Sequence, residues 1–171
     1  FIIEYYFDYN RYLGVFLQYF DYIRYISCFS KYFSYNRNMI KRDLYLDKIK
    51  TLKDTPGLVK AITGVRRSGK SSLLLLFREY LLNQKVPESS IVFINFEDFQ
   101  YRNLLTAEAL HTYLDDRLAK KGMTYLFLDE IQMVDGWEKV VNSLRLNSHC
   151  DIYVTGSNAS LLSGQLATLL S

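Results

Sequence analysis

The sequence has few of the residues that build metal centres and disulfides. Its 171 residues include two cysteines and two histidines. Cys28 and Cys150 lie far apart in the sequence without metal-ligand spacing, so we expect two incidental thiols in a reduced, cytoplasmic protein. His111 and His149 are single histidines without a ligand pattern, and we assign them no chemistry.

Long apolar runs and a strong net charge are also absent. The best apolar stretch near the N-terminus, residues 13–20, is far shorter than the roughly 20 residues that a membrane helix needs. The first residues show neither the basic region nor the cleavage site of a secretory signal. A net charge of +3 does not by itself imply nucleic-acid binding. We therefore expect one sizeable core and no membrane association.

The composition changes near Met39. Residues 1–38 are crowded with Tyr and Phe, carry interspersed charges and hold no helical or strand period for long. An amphipathic helix pattern then begins over residues 39–49. We expect an aromatic-rich extension over 1–38 and a core domain over 39–171. Our hypothesis is that translation starts naturally at Met39, with a spurious or poorly ordered segment upstream; the alternative is a genuine aromatic-rich interaction segment.

The most informative motif is the stretch over residues 64–71, which fits the phosphate-loop pattern G-x-x-x-x-G-K-[ST]. Gly64 and Gly69 allow a tight curl that points backbone N–H groups at phosphate oxygens. Lys70 supplies a mobile charge for the β- and γ-phosphates, and the Ser71 hydroxyl can ligate Mg²⁺. The predicted nucleotide-binding residues are Gly64, Val65, Arg66, Arg67, Ser68, Gly69, Lys70, Ser71 and Ser72.

The flanks of this motif also fit a phosphate loop. Residues 58–63 predict a short apolar strand, and residues 72–82 predict a helix free of Gly and Pro. The N-terminus of that helix would face the anion. The alternative is a chance match in a loop. For Arg66 and Arg67 four roles stay open: phosphate contact, contact with a neighbouring subunit, contact with an acidic partner, or solvated charge.

A second motif ends the apolar strand predicted over residues 124–130. Its acids, Asp129 and Glu130, fall where ligands bind in open α/β sheets. In this Walker B arrangement Asp129 holds the Mg²⁺ shell and Glu130 polarises the attacking water. The order Asp-Glu indicates an ATPase that hydrolyses rather than a small-molecule kinase. The alternative is a strand that ends in solvated acids.

A third candidate follows the strand predicted over residues 151–155. A polar residue at the end of a strand between the other two motif strands can reach the γ-phosphate. We assign this catalytic sensing role to Asn158, with Ser157 as an alternative and Thr155 as a less favoured one. Asn158 could equally cap a helix over residues 159–170.

The remaining patterns are structural. The strand over residues 90–98 ends in Glu97 and Asp98, which could touch the site but for which we favour loop or surface roles. Thr106 is a plausible cap for a helix over 106–120. Trp137, in a helix predicted over 136–146, is interpreted as a packing anchor.

Taken together, residues 62–74, 126–132, 137–138 and 154–159 resemble a family of bacterial and archaeal AAA+-like ATPases, similar to the archaeal-ATPase and replication-initiator branch. Members usually carry a C-terminal domain of unknown function. The resemblance implies ATP and Mg²⁺ as cofactors. It also implies an α/β P-loop NTPase fold, an αβα sandwich with a parallel sheet in the strand order 1-4-3-2.

The departures from the family pattern shape our expectations. Gln165 stands where the family usually has Glu, and the sequence stops at Ser171, where a fifth core strand, a lid and a C-terminal domain normally follow. We expect the completing arginine and the lid to be missing and the P-loop strand to be an exposed edge. Adenine specificity therefore depends on the resemblance alone.

From these motifs we predict Mg²⁺-dependent ATP binding, with hydrolysis in the full-length protein. Two alternatives remain: an ATP-binding switch or DNA-associated module with little hydrolysis, and a truncated, inactive remnant. The expected partners are ATP, DNA or a protein partner reached through the C-terminal part, and further copies of the chain in an oligomer.

Overall fold

The computed structural model describes residues 2–6, 43–118, 122–147 and 149–157, with residues 2–6 described by their strand pairing alone. The strands are β1 (Ile2–Tyr6), β2 (Val59–Thr63), β3 (Ile91–Asn95), β4 (Thr124–Asp129) and β5 (Cys150–Gly156). The α-helices are α1 (Asp43–Thr51), α2 (Lys70–Asn83), α3 (Ala107–Asp115) and α4 (Trp137–Arg145). Short 3₁₀ helices cover Glu88–Ser90, Phe99–Leu104 and Ile131–Met133.

The strands form one sheet in the order β1-β2-β5-β4-β3. The pairs β2–β5, β5–β4 and β4–β3 are parallel, and Ile152 of β5 is in register with Val59 on one side and Leu126 on the other. In the numbering of the parallel core this is the predicted order 1-4-3-2. The α/β class and the parallel sheet are therefore confirmed.

The outer edge of β2 differs from our expectation. Strand β1 pairs with β2 in the antiparallel sense, from Ile2 opposite Thr63 to Tyr6 opposite Val59. The expected exposed edge at the P-loop strand is therefore wrong, because a segment of the aromatic-rich extension occupies it. Residues 7–42 lie outside the described residues, so the boundary at Met39 stays a prediction.

Helices cover both faces of the sheet because successive strand residues point to opposite sides. On one face, Leu73 and Phe77 of α2 pack with Phe127 and Tyr153. On the other face, helices α3 and α4 cover the alternate strand residues. The buried residues of that second face include Ala61, Ile94, Leu110, Leu114, Leu126, Leu128, Trp137, Val140, Val141, Ile152 and Val154. This is the predicted αβα sandwich, and Trp137 is confirmed as a packing residue.

Local signals explain where α3 begins and ends. Thr106 caps it as predicted, since its hydroxyl accepts a hydrogen bond from the backbone N–H of Ala109 at 3.4 Å. The helix ends at Asp115 rather than near residue 120. There the chain tightens into turns, with the N–H of Arg117 bonded to the carbonyl of Leu114 and that of Leu118 to Asp115. The helix predicted over 159–170 lies outside the described residues.

This topology places the three predicted motifs together. Strands β2, β4 and β5 are adjacent and parallel, so the segments that follow their carboxyl ends meet at one edge of the sheet. Those segments are the phosphate loop, the Asp129–Glu130 pair and the turn after Gly156. Across the described ranges, every helix is too short or too polar to traverse a bilayer.

Candidate functional site

The predicted phosphate loop joins the end of β2 to the start of α2. Gly69, the residue before the helix, has φ of 91°, a left-handed conformation that favours glycine. The loop also contains a tight turn in which the N–H of Ser68 bonds to the carbonyl of Val65 at 3.2 Å. Since Gly69 cannot cap α2 with a side chain, the first N–H groups of the helix stay available to an anion.

Lys70 is held at the centre of this loop. Its side chain is 3% exposed, and its Nζ lies 3.2 Å from Oε1 of Glu130. The same ammonium donates to the carbonyls of Gly64 at 3.3 Å and Val65 at 3.5 Å. Both carbonyl contacts are long for hydrogen bonds to an ammonium group, so a nearby anion can replace them at small cost.

Asp129 is fully buried at the end of β4. The hydroxyl of Thr155 donates to its Oδ1 at 2.5 Å, and Ser71 hydrogen-bonds the same carboxyl group. Among the described residues its Oδ2 has no hydrogen-bond partner. Burial raises the pKa of Asp129 above its usual value, because the hydrogen bonds from Ser71 and Thr155 offset only part of the desolvation.

Glu130, the residue after Asp129, adopts a constrained backbone conformation. Its φ is 56°, which is left-handed for a residue with a side chain, and its N–H donates to Oγ1 of Thr155 at 2.8 Å. Its Oε2 accepts from Nε2 of Gln132 at 2.6 Å and from the N–H of Ser157 at 3.2 Å. Burial pushes the pKa of Glu130 upward, but hydrogen bonds from Gln132, Lys70 and Ser157 outweigh it and lower the pKa. The carboxylate is therefore ionised at neutral pH.

The residues present fit a magnesium ion bound together with a nucleotide. Ser71 and Asp129 bring a hydroxyl and a carboxylate together, with the second oxygen of Asp129 unpartnered. The described part of the chain has no cluster of three or more His, Cys, Asp or Glu that could enclose a metal by itself. One carboxylate completed by phosphate oxygens and water is the usual protein environment of Mg²⁺.

The side chains at the tip of the loop are exposed to solvent. Val65, Arg66 and Arg67 are exposed, and Arg66 forms an exposed ion pair with Glu97 at 3.1 Å. Asp98 accepts a hydrogen bond from the N–H of Gln100 and so caps the Phe99–Leu104 helix. Glu97 and Asp98 are both exposed, as favoured, although Glu97 also contacts Arg66 of the phosphate loop.

Two residues matter more in this geometry than the sequence indicated. Thr155, the less favoured sensor candidate, bonds to both Asp129 and Glu130, and Gln132, which had no predicted role, bonds to Glu130. The signal for Thr155 was strand alternation, since Thr155 and Asp129 directly follow the paired residues Val154 and Leu128 of neighbouring parallel strands. Asn158 lies outside the described residues, so its sensor role stays a prediction.

Comparisons with known proteins find relatives of this chain in two organisms. A protein of Haemophilus influenzae described as uncharacterized is 44% identical over 137 residues, which is 80% of this chain and 34% of that protein. The uncharacterized protein MJ1544 of Methanocaldococcus jannaschii is 36% identical over 135 residues, 79% of this chain and 29% of its own length. The chain thus spans about a third of the length of these relatives.

A structural comparison finds C. elegans PCH-2, with a TM-score of 0.44 and 21% identity over 64% of this chain and 31% of that one. The sequence model of the AAA domain family matches residues 56–171, which include the phosphate loop and the Asp129–Glu130 strand. This match covers well over half of the chain. The chain therefore belongs to the AAA domain family and is an AAA+-like P-loop ATPase domain.

Proposed function

We propose that this domain binds ATP together with Mg²⁺ and hydrolyses it within the full-length protein. One observation carries the proposal. Among the described residues, three buried side-chain oxygens have no hydrogen-bond partner: Ser68 Oγ, Asp129 Oδ2 and Gln132 Oε1. All three belong to the phosphate loop or to the segment around Glu130. Buried polar atoms are rarely left unpartnered, so their concentration here supports a ligand that completes the site.

Each site residue then has a distinct task. Lys70 stabilises negative charge on the β- and γ-phosphates, and the backbone N–H groups of the loop cradle the same oxygens. Ser71 and Asp129 hold Mg²⁺, which when bound neutralises charge on the phosphate oxygens. Glu130 accepts a hydrogen bond from the attacking water as the general base.

The ion pair between Lys70 and Glu130 supports this assignment of roles. Lys70 can reach phosphate only by giving up contacts with Glu130 or with the loop carbonyls. Binding of the anion would therefore free Oε1 of Glu130 at the same time as it engages Lys70. The base becomes available when its substrate is present.

Two experiments test binding and hydrolysis separately. Lys70→Ala should weaken Mg·ATP binding at least about tenfold in calorimetry, because a charge-assisted contact is lost. Lys139→Ala, which removes an exposed helical lysine, is the matched control and should bind normally. Equal affinity in the two variants would refute the phosphate-loop assignment.

For hydrolysis, Glu130→Gln should lower phosphate release by about 10²- to 10⁴-fold with ATP affinity retained. Binding without phosphate release in the unaltered protein would instead support the second candidate, an ATP-dependent switch. The observation that favours this candidate is the full engagement of both Glu130 oxygens.

Several further roles remain part of the proposal. Asn158 is the proposed γ-phosphate sensor, and Val65, Arg66, Arg67 and Ser72 are proposed to line the nucleotide through the loop backbone. DNA, a protein partner or a second copy of the chain are the proposed macromolecular partners of the whole protein. Binding of a DNA duplex measured against salt concentration would test the first of these, since phosphate contacts weaken as salt rises.

A further inference from the structure

We infer that Gln132 is a positioning residue, which together with the backbone N–H of Ser157 fixes the Glu130 carboxylate so that its Oε1 faces the attacking water. The inference deepens the proposed hydrolysis and rests on it. It concerns a residue that no sequence motif assigned to the chemistry.

The two oxygens of Glu130 are held by different groups. Oε1 contacts Nζ of Lys70 at 3.2 Å. Oε2 accepts from Nε2 of Gln132 at 2.6 Å and from the N–H of Ser157 at 3.2 Å. Nε2 of Gln132 also lies 3.5 Å from Oγ of Ser157, so the amide spans the gap between the two segments.

Because the two oxygens of Glu130 have different partners, they respond differently when Lys70 binds phosphate. Oε1 loses its partner, whereas the two donors on Oε2 depend on neither Lys70 nor the nucleotide. The carboxylate is thus released at one oxygen and anchored at the other. In the reaction, the water oxygen bonds to the γ-phosphorus, the bond from that phosphorus to the ADP oxygen breaks, and the water proton passes to Oε1.

The orientation of the Gln132 amide follows from its partner. Only the NH₂ end can donate to a carboxylate, so Oε1 of Gln132 takes the other position. There it is buried without a hydrogen-bond partner within the described part of the chain. Glu130 itself has a left-handed backbone. An unpartnered buried oxygen next to an uncommon backbone conformation is typical of residues retained for function rather than for stability.

Variants of Gln132 test the inference through kinetics. Gln132→Leu removes the donor, and Gln132→Glu keeps the size but replaces the donor with a carboxylate that repels Glu130. Both should lower kcat by about 10- to 100-fold, because the base is no longer oriented, with KM for ATP changed less than about threefold. Gln132→Asn, which retains an amide on a shorter arm, should recover part of kcat.

Gln100→Leu is the matched control. Gln100 also donates through Nε2 to an acid two residues earlier, Asp98, at 2.8 Å, but on the exposed surface. Its loss should leave kcat unchanged. An unchanged kcat in Gln132→Leu, or equal losses in kcat and in ATP affinity, would overturn the positioning role.

A second measurement does not depend on turnover. In ¹⁵N-labelled protein the side-chain NH₂ of Gln132 should be protected from solvent exchange, both alone and with Mg²⁺ and a non-hydrolysable ATP analogue. Glu130→Ala should abolish that protection. Free exchange in the nucleotide complex would overturn the inference even if ATP binds, whereas protection in a protein that releases no phosphate would refute only the proposed hydrolysis.

Discussion

Two buried lysine–carboxylate pairs lie at opposite ends of one sheet face and differ in the polar atoms that surround them. At the amino ends of the strands, Lys60 pairs with Asp151, and both side chains are 0% exposed. At the carboxyl ends, Lys70 pairs with Glu130, with side chains 3% and 10% exposed. Each pair joins a lysine to a carboxylate in a buried position, so the difference between them lies in the polar atoms nearby.

The Lys60–Asp151 pair has a partner for each of its polar atoms. Lys60 also donates to the carbonyl of Thr55 at 2.9 Å and lies 5.2 Å from the ring centre of Tyr153. Oδ2 of Asp151 accepts from the N–H of Asp54 at 3.0 Å and from the hydroxyl of Tyr153 at 2.9 Å. Burial lowers the pKa of Lys60, and the neighbouring Asp151 opposes that shift. This amino-end network ties the loop before β2 to the sheet, and within the described ranges none of its buried side-chain atoms lacks a hydrogen-bond partner.

At the Lys70–Glu130 end the two paired side chains are also fully engaged, but buried oxygens close to them are not. The described side-chain oxygens that are buried without partners are all found here, in Ser68, Asp129 and Gln132. A buried ion pair whose surroundings are fully hydrogen-bonded needs no further partner, whereas unpartnered buried oxygens beside a pair support the proposal of a bound ligand. Substitutions at the two ends should therefore separate stability from ligand affinity.

The largest expected effect is the loss of stability when the Lys60–Asp151 pair, at the amino ends of the strands, is broken. Lys60→Ala leaves the Asp151 carboxylate buried without its cation, so the free energy of unfolding should fall by about 3–5 kcal/mol. Denaturant unfolding measures the loss, and the folded fraction should bind Mg·ATP with unchanged affinity. A loss below about 1 kcal/mol would show that the pair is not the structural element described here.

The next effect is a loss of stability at high pH through Tyr125. Its hydroxyl donates to Asp54 at 2.5 Å in the same network, and burial together with this hydrogen bond raises the pKa of Tyr125 to about 12. Because the pKa is raised from 10.0, the unfolded chain loses the proton first. The stabilisation that protonated Tyr125 gives to the folded state is fully present below about pH 10. The free energy of unfolding should then fall by about 2–3 kcal/mol as the pH rises to about 12.

Tyr125→Phe provides the control for this titration. The variant should be less stable than the unaltered protein at pH 8, since it lacks the hydrogen bond to Asp54, but should lose less stability between pH 10 and 12. Parallel stability curves for the two proteins over that range would exclude Tyr125 as the titrating group.

The smallest effect is expected at the exposed ion pair between Arg66 and Glu97. Arg66 is 78% exposed there, and exposed pairs contribute little in water. Arg66→Ala should change the free energy of unfolding by less than about 0.5 kcal/mol. Mg·ATP affinity should change less than about twofold if Arg66 lines the nucleotide through its backbone alone. A larger loss of affinity would place the guanidinium on a phosphate.

The contrast between the two ends also explains how much the sequence could predict. The phosphate loop and the Asp129–Glu130 pair were predictable because their chemistry needs particular residue types at fixed spacing. The strand order came from the resemblance to a family, and the structure confirms it. Local apolar patterns located β2 to β5 to within a few residues.

Other features depend on contacts that a single sequence does not display. Lys60 sits in an apolar strand without any motif, and its partner follows 91 residues later. The role of Thr155 depends on the register of β5 beside β4, and that of Gln132 on the left-handed backbone of Glu130. Strand β1, which pairs with β2, was missed because the Tyr- and Phe-rich segment around it shows no lasting period.

The most direct test of the central claim, that the Lys70–Glu130 end is a ligand site, is the shift in unfolding free energy on adding Mg·ATP. At about 100 times the dissociation constant, Mg·ATP should stabilise the unaltered protein by about 2.7 kcal/mol, and ATP with chelator should do less. Lys70→Ala should show little shift at the same concentration, whereas Lys139→Ala should respond fully. Equal stabilisation of Lys70→Ala and Lys139→Ala, or no stabilisation of the unaltered protein, would contradict the claim.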